Sequence, residues 1–304
     1  AKVKAELSNL LSAKLIEQLC QEAGHQWRER VLDPATTVYL FLGQVLAGNT
    51  ALTHVVHFGE KTFTASAYCQ ARKRLPLEVF TLLLKKATER LVESLPCPLW
   101  HGHRTFLTDG SGFSMPDVPE LAKVFGYPAG QKEGCGFPTA SLVVLFNAAT
   151  GLLLELFALP LRSHEMAYAA DLHPRLKEGD LLLGDRGFCS FAHLALLAGQ
   201  KLHGLFRLHQ KVLVSFRPHR KWAHPKDRKA KGLPRSKWLR RVGFHDQVLL
   251  WHKPVSRPGW MSKEEYANLP ETLEVRELRY KIGTKGFRTK EVTLVTTLLD
   301  PEVY

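Results

Sequence analysis

The chain has 304 residues, 45% of them hydrophobic, and a net charge of +13. It therefore has apolar material for two or three folded domains and is no disordered tail. No apolar run approaches the ~20 residues of a membrane span. No secretory signal is read at its start, and five scattered cysteines without a C-x-x-C pair predict reduced thiols, so the expectation is a cytoplasmic protein with neither disulfide frame nor zinc site.

Residues 1–97 read as a helical region. Leu7, Leu10, Leu11, Leu15, Ile16 and Leu19 recur at helical spacing. Further helices are predicted over 36–47, over 64–75 ahead of Pro76, and over 77–95. Arg72, Lys73 and Arg74 crowd the end of the third. In a helix-turn-helix-like unit they would grip DNA; on a solvated helix face they would do nothing specific.

From Arg104 the pattern changes to strands. Thr105–Asp109 is a short apolar strand followed by a Gly-Ser-Gly turn, and 140–147 with 152–159 reads as a hairpin. A helix near His164 leads to the apolar strand Leu181–Gly184, then a helix over 190–198 and a strand over 203–208. That order predicts an α/β core over 98–210, a mixed sheet flanked by helices. His101 and His103 complete no metal pattern and are read as surface histidines.

Residues 211–304 read as a basic, β-rich insertion and the start of a return to the core, with alternation at 273–282 and 291–299. Residues 211–290 hold 21 Lys and Arg against 7 Asp and Glu, which is the whole positive excess of the chain. Clustered charge of this kind suits a strip that neutralises phosphates, so a polyanionic partner is expected. Arg207, His209, Gln210 and Lys211 lead into the strip as candidate phosphate contacts. Trp251 and Trp260 are candidates for stacking on an unpaired base, although packing of the insertion is the commoner role of a buried Trp. Asp300 and Pro301 announce a helix shortly before Tyr304, and the chain is expected to stop short of it.

Two carboxylates carry the chemistry. Asp109 and Asp185 each end an apolar strand with glycine close behind. In an α/β sheet of this order the first and fourth strands are neighbours, so the two acids converge. Like charges held close call for a cation between them, and hard oxygen donors suit Mg2+ or Mn2+. Paired ions of this kind serve phosphoryl transfer.

The run Leu107-Thr108-Asp109-Gly110-Ser111-Gly112-Phe113-Ser114-Met115-Pro116-Asp117 resembles the first catalytic block of the insertion-sequence-4 family of bacterial DDE transposases. So do Phe125-Gly126, Gly130-Gln131-Lys132 and Gly134-Cys135-Gly136-Phe137-Pro138. Gly184-Asp185-Arg186-Gly187-Phe188-Cys189-Ser190, followed by Phe206-Arg207-Leu208-His209-Gln210, is similar to the second block. Ala67–Pro76 is similar to the family's amino-terminal region. The resemblance implies a ribonuclease-H-like core with a β insertion. It makes Asp109 and Asp185 the first two metal ligands, double-stranded DNA the partner, and the DNA-bound form a homodimer on the nucleoid; Arg186, next to Asp185, is a candidate either for a phosphate contact or for a salt bridge with a neighbouring acid. It also implies a third acid, a Glu on a helix with a Tyr-Arg-Glu-Lys signature. That signature is missing here, and Glu291, Asp300 and Glu302 do not fit its place. The two expectations are thus a transposase that cuts and joins DNA, and a fragment that binds DNA without turnover.

Overall fold

The computed structural model describes residues 9–129, 136–227, 229, 231–283 and 291–304. Leu7 of the first predicted helix and Gly130, Gln131, Lys132, Gly134 and Cys135 of the first sequence block lie outside the described residues. The chain divides into two compact units, Ala1–Pro96 and Cys97–Tyr304.

The first unit contains α1 (Ala13–Glu22), α2 (Pro34–Leu46), α3 (Leu52–Val55), α4 (Ala65–Arg74) and α5 (Leu77–Ser94). Side-chain oxygens of Ser12, Asp33 and Thr64 accept the N–H of Leu15, Thr36 and Ala67, which fixes where α1, α2 and α4 begin. The Ser12 cap also breaks the helix expected to run on from Leu10 and Leu11. Pro76 holds the preceding Leu75 extended (φ −69°, ψ 123°) and separates α4 from α5. Ile16, Leu19, Val38, Val79 and Leu83 form the core that these helices share. Each such side chain contributes roughly 1.5–3 kcal/mol by leaving water.

The second unit is built on one nine-stranded mixed sheet in the order β3-β2-β1-β4-β5-β9-β8-β7-β6. Its strands are β1 (Thr105–Ser114), β2 (Thr139–Asn147), β3 (Leu153–Pro160), β4 (Leu181–Gly184), β5 (His203–Arg207), β6 (Ser236–Gly243), β7 (Asp246–His252), β8 (Thr272–Lys281) and β9 (Glu291–Thr296). Parallel pairing joins β1 to β4 and β4 to β5; the other pairs are antiparallel. Strands from 236 onward extend the same sheet, because β9 returns beside β5.

Three local expectations change. Gly110-Ser111-Gly112 is not a turn: β1 runs through it, paired with β2 from Phe106↔Asn147 to Ser114↔Thr139. Continuous cross-strand pairing overrides the local turn preference. A short helix, α6 (Pro119–Phe125), lies between β1 and β2. The helix expected near His164 is only α7 (Met166–Ala169), which tightens into a 3-10 turn over Ala170–Arg175 containing Pro174. Helix α8 (Phe191–Gly199) precedes β5, and α9 (Lys263–Asn268) precedes β8.

Phe106, Val143, Leu145, Leu182, Leu194, Phe206 and Val295 anchor the core of this unit. His103 is not a surface histidine: its Nδ1 lies 2.6 Å from the Gly179 carbonyl and its Nε2 2.7 Å from the Tyr304 hydroxyl. Residues 301–303 form a turn after Asp300, whose Oδ1 accepts the Glu302 N–H.

Candidate active site

The site is made by the register of β1 and β4. Their parallel pairing runs from Thr105↔Leu181 to Thr108↔Gly184. Asp109 is the next residue of β1, and Asp185 is the first beyond β4, so the two acids sit side by side where the pairing stops. At the other end Arg104 clamps Asp180 with Nε 2.8 Å from Oδ1, pinning this register. Gly184 sits in close packing: a Cβ there would lie 3.0 Å from both the Phe206 ring and Thr108 Cγ2, so both neighbours would have to give way.

Both carboxylates are exposed, and each has one oxygen engaged locally. Asp109 Oδ1 accepts the Gly110 N–H at 2.8 Å. Asp185 Oδ1 accepts the Gly187 N–H at 2.5 Å and caps the 3-10 turn Arg186–Phe188. The second oxygen of each acid accepts no hydrogen bond among the described residues, so hard donors remain for a divalent cation. Among the described residues, no group of three His, Cys, Asp or Glu side chains is placed to hold a metal. The pair thus fits part of a magnesium or manganese site, with two donors and no third from these residues.

Strand β5 continues the row. Gly184 pairs with Phe206, which sets Arg207, half-buried, beside Asp185. Arg186 donates from Nη1 to Gln210 Oε1 at 3.3 Å, so two more of the expected contacts meet. His209 Nδ1 accepts the Lys211 N–H at 3.1 Å, and Lys211 itself is exposed. Trp251 and Trp260 are half-buried and pack on the cores beneath the sheet. In the other unit, Arg72 donates to Gln44 Oε1 at 3.1 Å and lies 5.8 Å over the Phe41 and Tyr68 rings, whereas Lys73 and Arg74 are exposed.

Three groups near this row were not singled out from sequence. Glu165 covers Gly110 so closely that a Cβ there would lie 2.3 Å from its Oε2, and its Oε1 accepts from Ser141 Oγ at 3.1 Å. Nothing in the local sequence marks it. Glu277 is 2% exposed, with Trp251 Nε1 and Gln247 Nε2 each donating to one of its oxygens at 3.3 Å. Burial pushes its carboxyl pKa up, against the pull of those donors and of Arg220. The alternation Leu273, Val275, Glu277 could have placed it on the inner face.

Third is a histidine pair behind the Asp185 turn. His193 Nδ1 lies 2.7 Å from the Phe188 carbonyl and therefore donates to it, leaving Nε2 as acceptor. His173 Nε2 lies 3.0 Å from that Nε2 and is the donor. Burial pushes both pKa values down, to about 3 for His173 and about 4 for His193. A neutral His193 thus holds the last carbonyl of the turn that Asp185 starts.

Residues 100–301 match the family model described as Transposase DDE domain. A curated relative, "Putative transposase InsZ" of Escherichia coli (strain K12), is 31% identical over 147 residues, covering 47% of this chain and 48% of the relative. The chain spans about half the length of that relative. A solved piggyBac transposase synaptic complex with hairpin DNA superposes with a TM-score of 0.42 at 9% identity, over 97% of this chain and 60% of that one.

Proposed function

The chain belongs to the Transposase DDE domain family, and on that premise we propose that it is a transposase of the insertion-sequence-4 type, with a ribonuclease-H-like core, that cuts and rejoins DNA at the ends of a mobile element. The observation that carries this reading is the register Thr108↔Gly184, which leaves Asp109 and Asp185 adjacent and exposed, each with one oxygen open. Asp109 and Asp185 would hold magnesium or manganese. When bound, such ions supply Lewis-acid stabilisation of the phosphodiester oxygens.

The chain's own residues do the rest. The hydrogen bonds from Gly110 and Gly187 orient the two carboxylates, so their open oxygens need not be ordered when the cation arrives. Arg207, next in the row, and the linked Arg186 and Gln210 offer guanidinium and amide donors for the phosphates flanking the cut. No covalent attachment of DNA to the protein is called for, since water or a 3′ hydroxyl can attack the phosphorus in line.

The exposed lysines Lys211, Lys221, Lys226, Lys229 and Lys231 are the counterion-releasing strip for duplex DNA. Neutralising them should lower the slope of log affinity against log salt by about one for each lysine that meets a phosphate. An unchanged slope would remove the strip from the DNA footprint.

A second reading is favoured by the lack of a third metal-binding side chain beside the pair among the described residues. In it the chain binds DNA, as a dimer on paired ends, without turnover. One experiment separates the two: incubation with a plasmid carrying the element's ends in Mg2+ or Mn2+, beside Asp109→Asn and Asp185→Asn. Nicking by the wild type that both variants lose supports the enzyme. Retarded DNA that stays uncut supports the second reading, and cutting that survives both variants sinks the assignment of the two acids.

A further inference from the structure

We propose that the cavity beside α4, within Ala1–Pro96, is a binding pocket for one nucleotide unit: a phosphate carrying a base-sized aromatic ring. The cavity has a volume of about 420 Å³, within the range of small-molecule sites. Pro34, Thr37, Ala71 and Leu75 line it and are all buried, giving a largely apolar floor. His25 and Trp27 form one wall, their rings stacked with centroids 6.0 Å apart and planes 19° from parallel. Arg28, Arg30 and Arg74 also line it and are exposed. None of the three is ion-paired or hydrogen-bonded through its side chain among the described residues.

The combination restricts the occupant. Three arginines lining one cavity disfavour a cation there and repel one another, and an anion relieves both. Guanidinium forks match phosphate oxygens in geometry as well as charge. An inorganic anion alone would leave the floor and the aromatic wall in contact with water. A flat ring joined to the phosphate covers both, by stacking on Trp27 or His25. Arg72, on the same helix, is different: Gln44 and two rings already engage it.

The pocket stands on its own residues and does not depend on chemistry at Asp109 and Asp185. Its ligand could be a free nucleotide or an unpaired nucleotide of a DNA strand, and the test has an arm for each. Fluorescence anisotropy of a labelled, 5′-phosphorylated hexadeoxyadenylate is measured with the 304-residue chain, with deoxyadenosine monophosphate and inorganic phosphate as competitors. Arg74→Ala and the double variant Arg28→Ala/Arg30→Ala should each weaken binding by about tenfold or more with the melting temperature unchanged. Lys85→Ala, an exposed charge of α5 outside the cavity, should change it less than about twofold. Trp27→Leu should weaken competition by the nucleotide and leave that by inorganic phosphate as it was.

With binding weakened in the arginine variants, competition by the monophosphate supports the pocket with a free nucleotide as ligand; hexamer binding that the monophosphate does not displace supports it with a DNA strand. The proposal is overturned if Arg74→Ala acts no more strongly than Lys85→Ala, if inorganic phosphate competes as well as the nucleotide, or if the wild type binds neither probe. Should Trp27→Leu unfold, the arginine variants decide. The anisotropy is read without divalent metal, which keeps a failure of the metal-site reading separate from a failure here.

Discussion

Compare the acids where the pairing of β1 with β4 stops with the acid in the middle of β8. Asp109 and Asp185 are exposed and each spends one oxygen on a neighbouring N–H. Glu277 is buried and both its oxygens are met, one by Trp251 and one by Gln247. The same contrast recurs among the cations of α4, where Arg72 is engaged by Gln44 and Arg74 faces an open cavity. A polar group whose bonds are all made inside the fold holds the structure in shape. One with capacity left over, at a place the backbone has fixed, is free to hold something else. That distinction can be tested by asking which removals cost stability and which cost only binding.

The largest loss of stability should come from Glu277. Replacing it with Leu leaves the Trp251 N–H without an acceptor, takes from the Gln247 amide one of its two, the other being the Ser215 carbonyl, and leaves Arg220 without its nearby charge. The expected cost is about 3 kcal/mol in urea unfolding. Glu277→Gln keeps an acceptor and should cost about 1 kcal/mol. If the leucine variant is as stable as wild type, the buried acid is not a structural tie and the comparison fails at its strongest point.

Next is acidification. Because burial lowers both pKa values, the folded form keeps His173 and His193 neutral down to about 3 and about 4. An unfolded histidine takes up its proton near pH 6.5. Between those limits the unfolded state binds more protons, so stability falls as pH drops below about 6.5 and the pair has no effect above it. By pH 5 the loss should be about 1–2 kcal/mol per histidine, an upper range for a coupled pair. The urea midpoint measured from pH 7.5 to pH 5 checks this, with His173→Phe expected to flatten the slope. An equal slope in that variant would assign the acid sensitivity to other groups.

Smaller again is the difference within α4. Arg72→Ala should cost about 1 kcal/mol, because it breaks a bond to Gln44 and uncovers two rings. The exposed Lys73, replaced in the same way, should fall within about 0.5 kcal/mol of wild type. Equal losses from the two would mean that Arg72 is not held as its contacts indicate.

What the sequence made legible follows the same line. The order of strands and the adjacency of β1 and β4 could be read because apolar runs and glycines mark strand ends, and because parallel strands need crossovers. Asp109 and Asp185 were visible for that reason. Glu165 was not, since its place over Gly110 depends on a tertiary approach that no local spacing encodes. Nor was the passage of β1 through Gly110-Ser111-Gly112, where pairing with β2 outweighs a local turn signal. Arg72, Lys73 and Arg74 looked alike as a run of charge. Only packing divides them into one engaged side chain and two exposed ones, because a helix turns 100° per residue and successive side chains meet different surroundings.

The smallest effect on stability should belong to the residue with the largest expected effect on metal binding. Asn at position 185 retains an oxygen that can accept the Gly187 N–H and cap the turn Arg186–Phe188, so Asp185→Asn should unfold within about 0.5 kcal/mol of wild type. What it removes is charge at the open oxygen. Manganese affinity, read by paramagnetic relaxation of water protons, should fall about tenfold or more. Glu277→Gln, the same chemical change at a satisfied acid, should leave that affinity alone while lowering stability. If both variants lose metal, or neither does, then open and closed acids are not functionally distinct in this fold. If only Asp185→Asn loses it, the leftover oxygen at the end of β4 is the feature that matters.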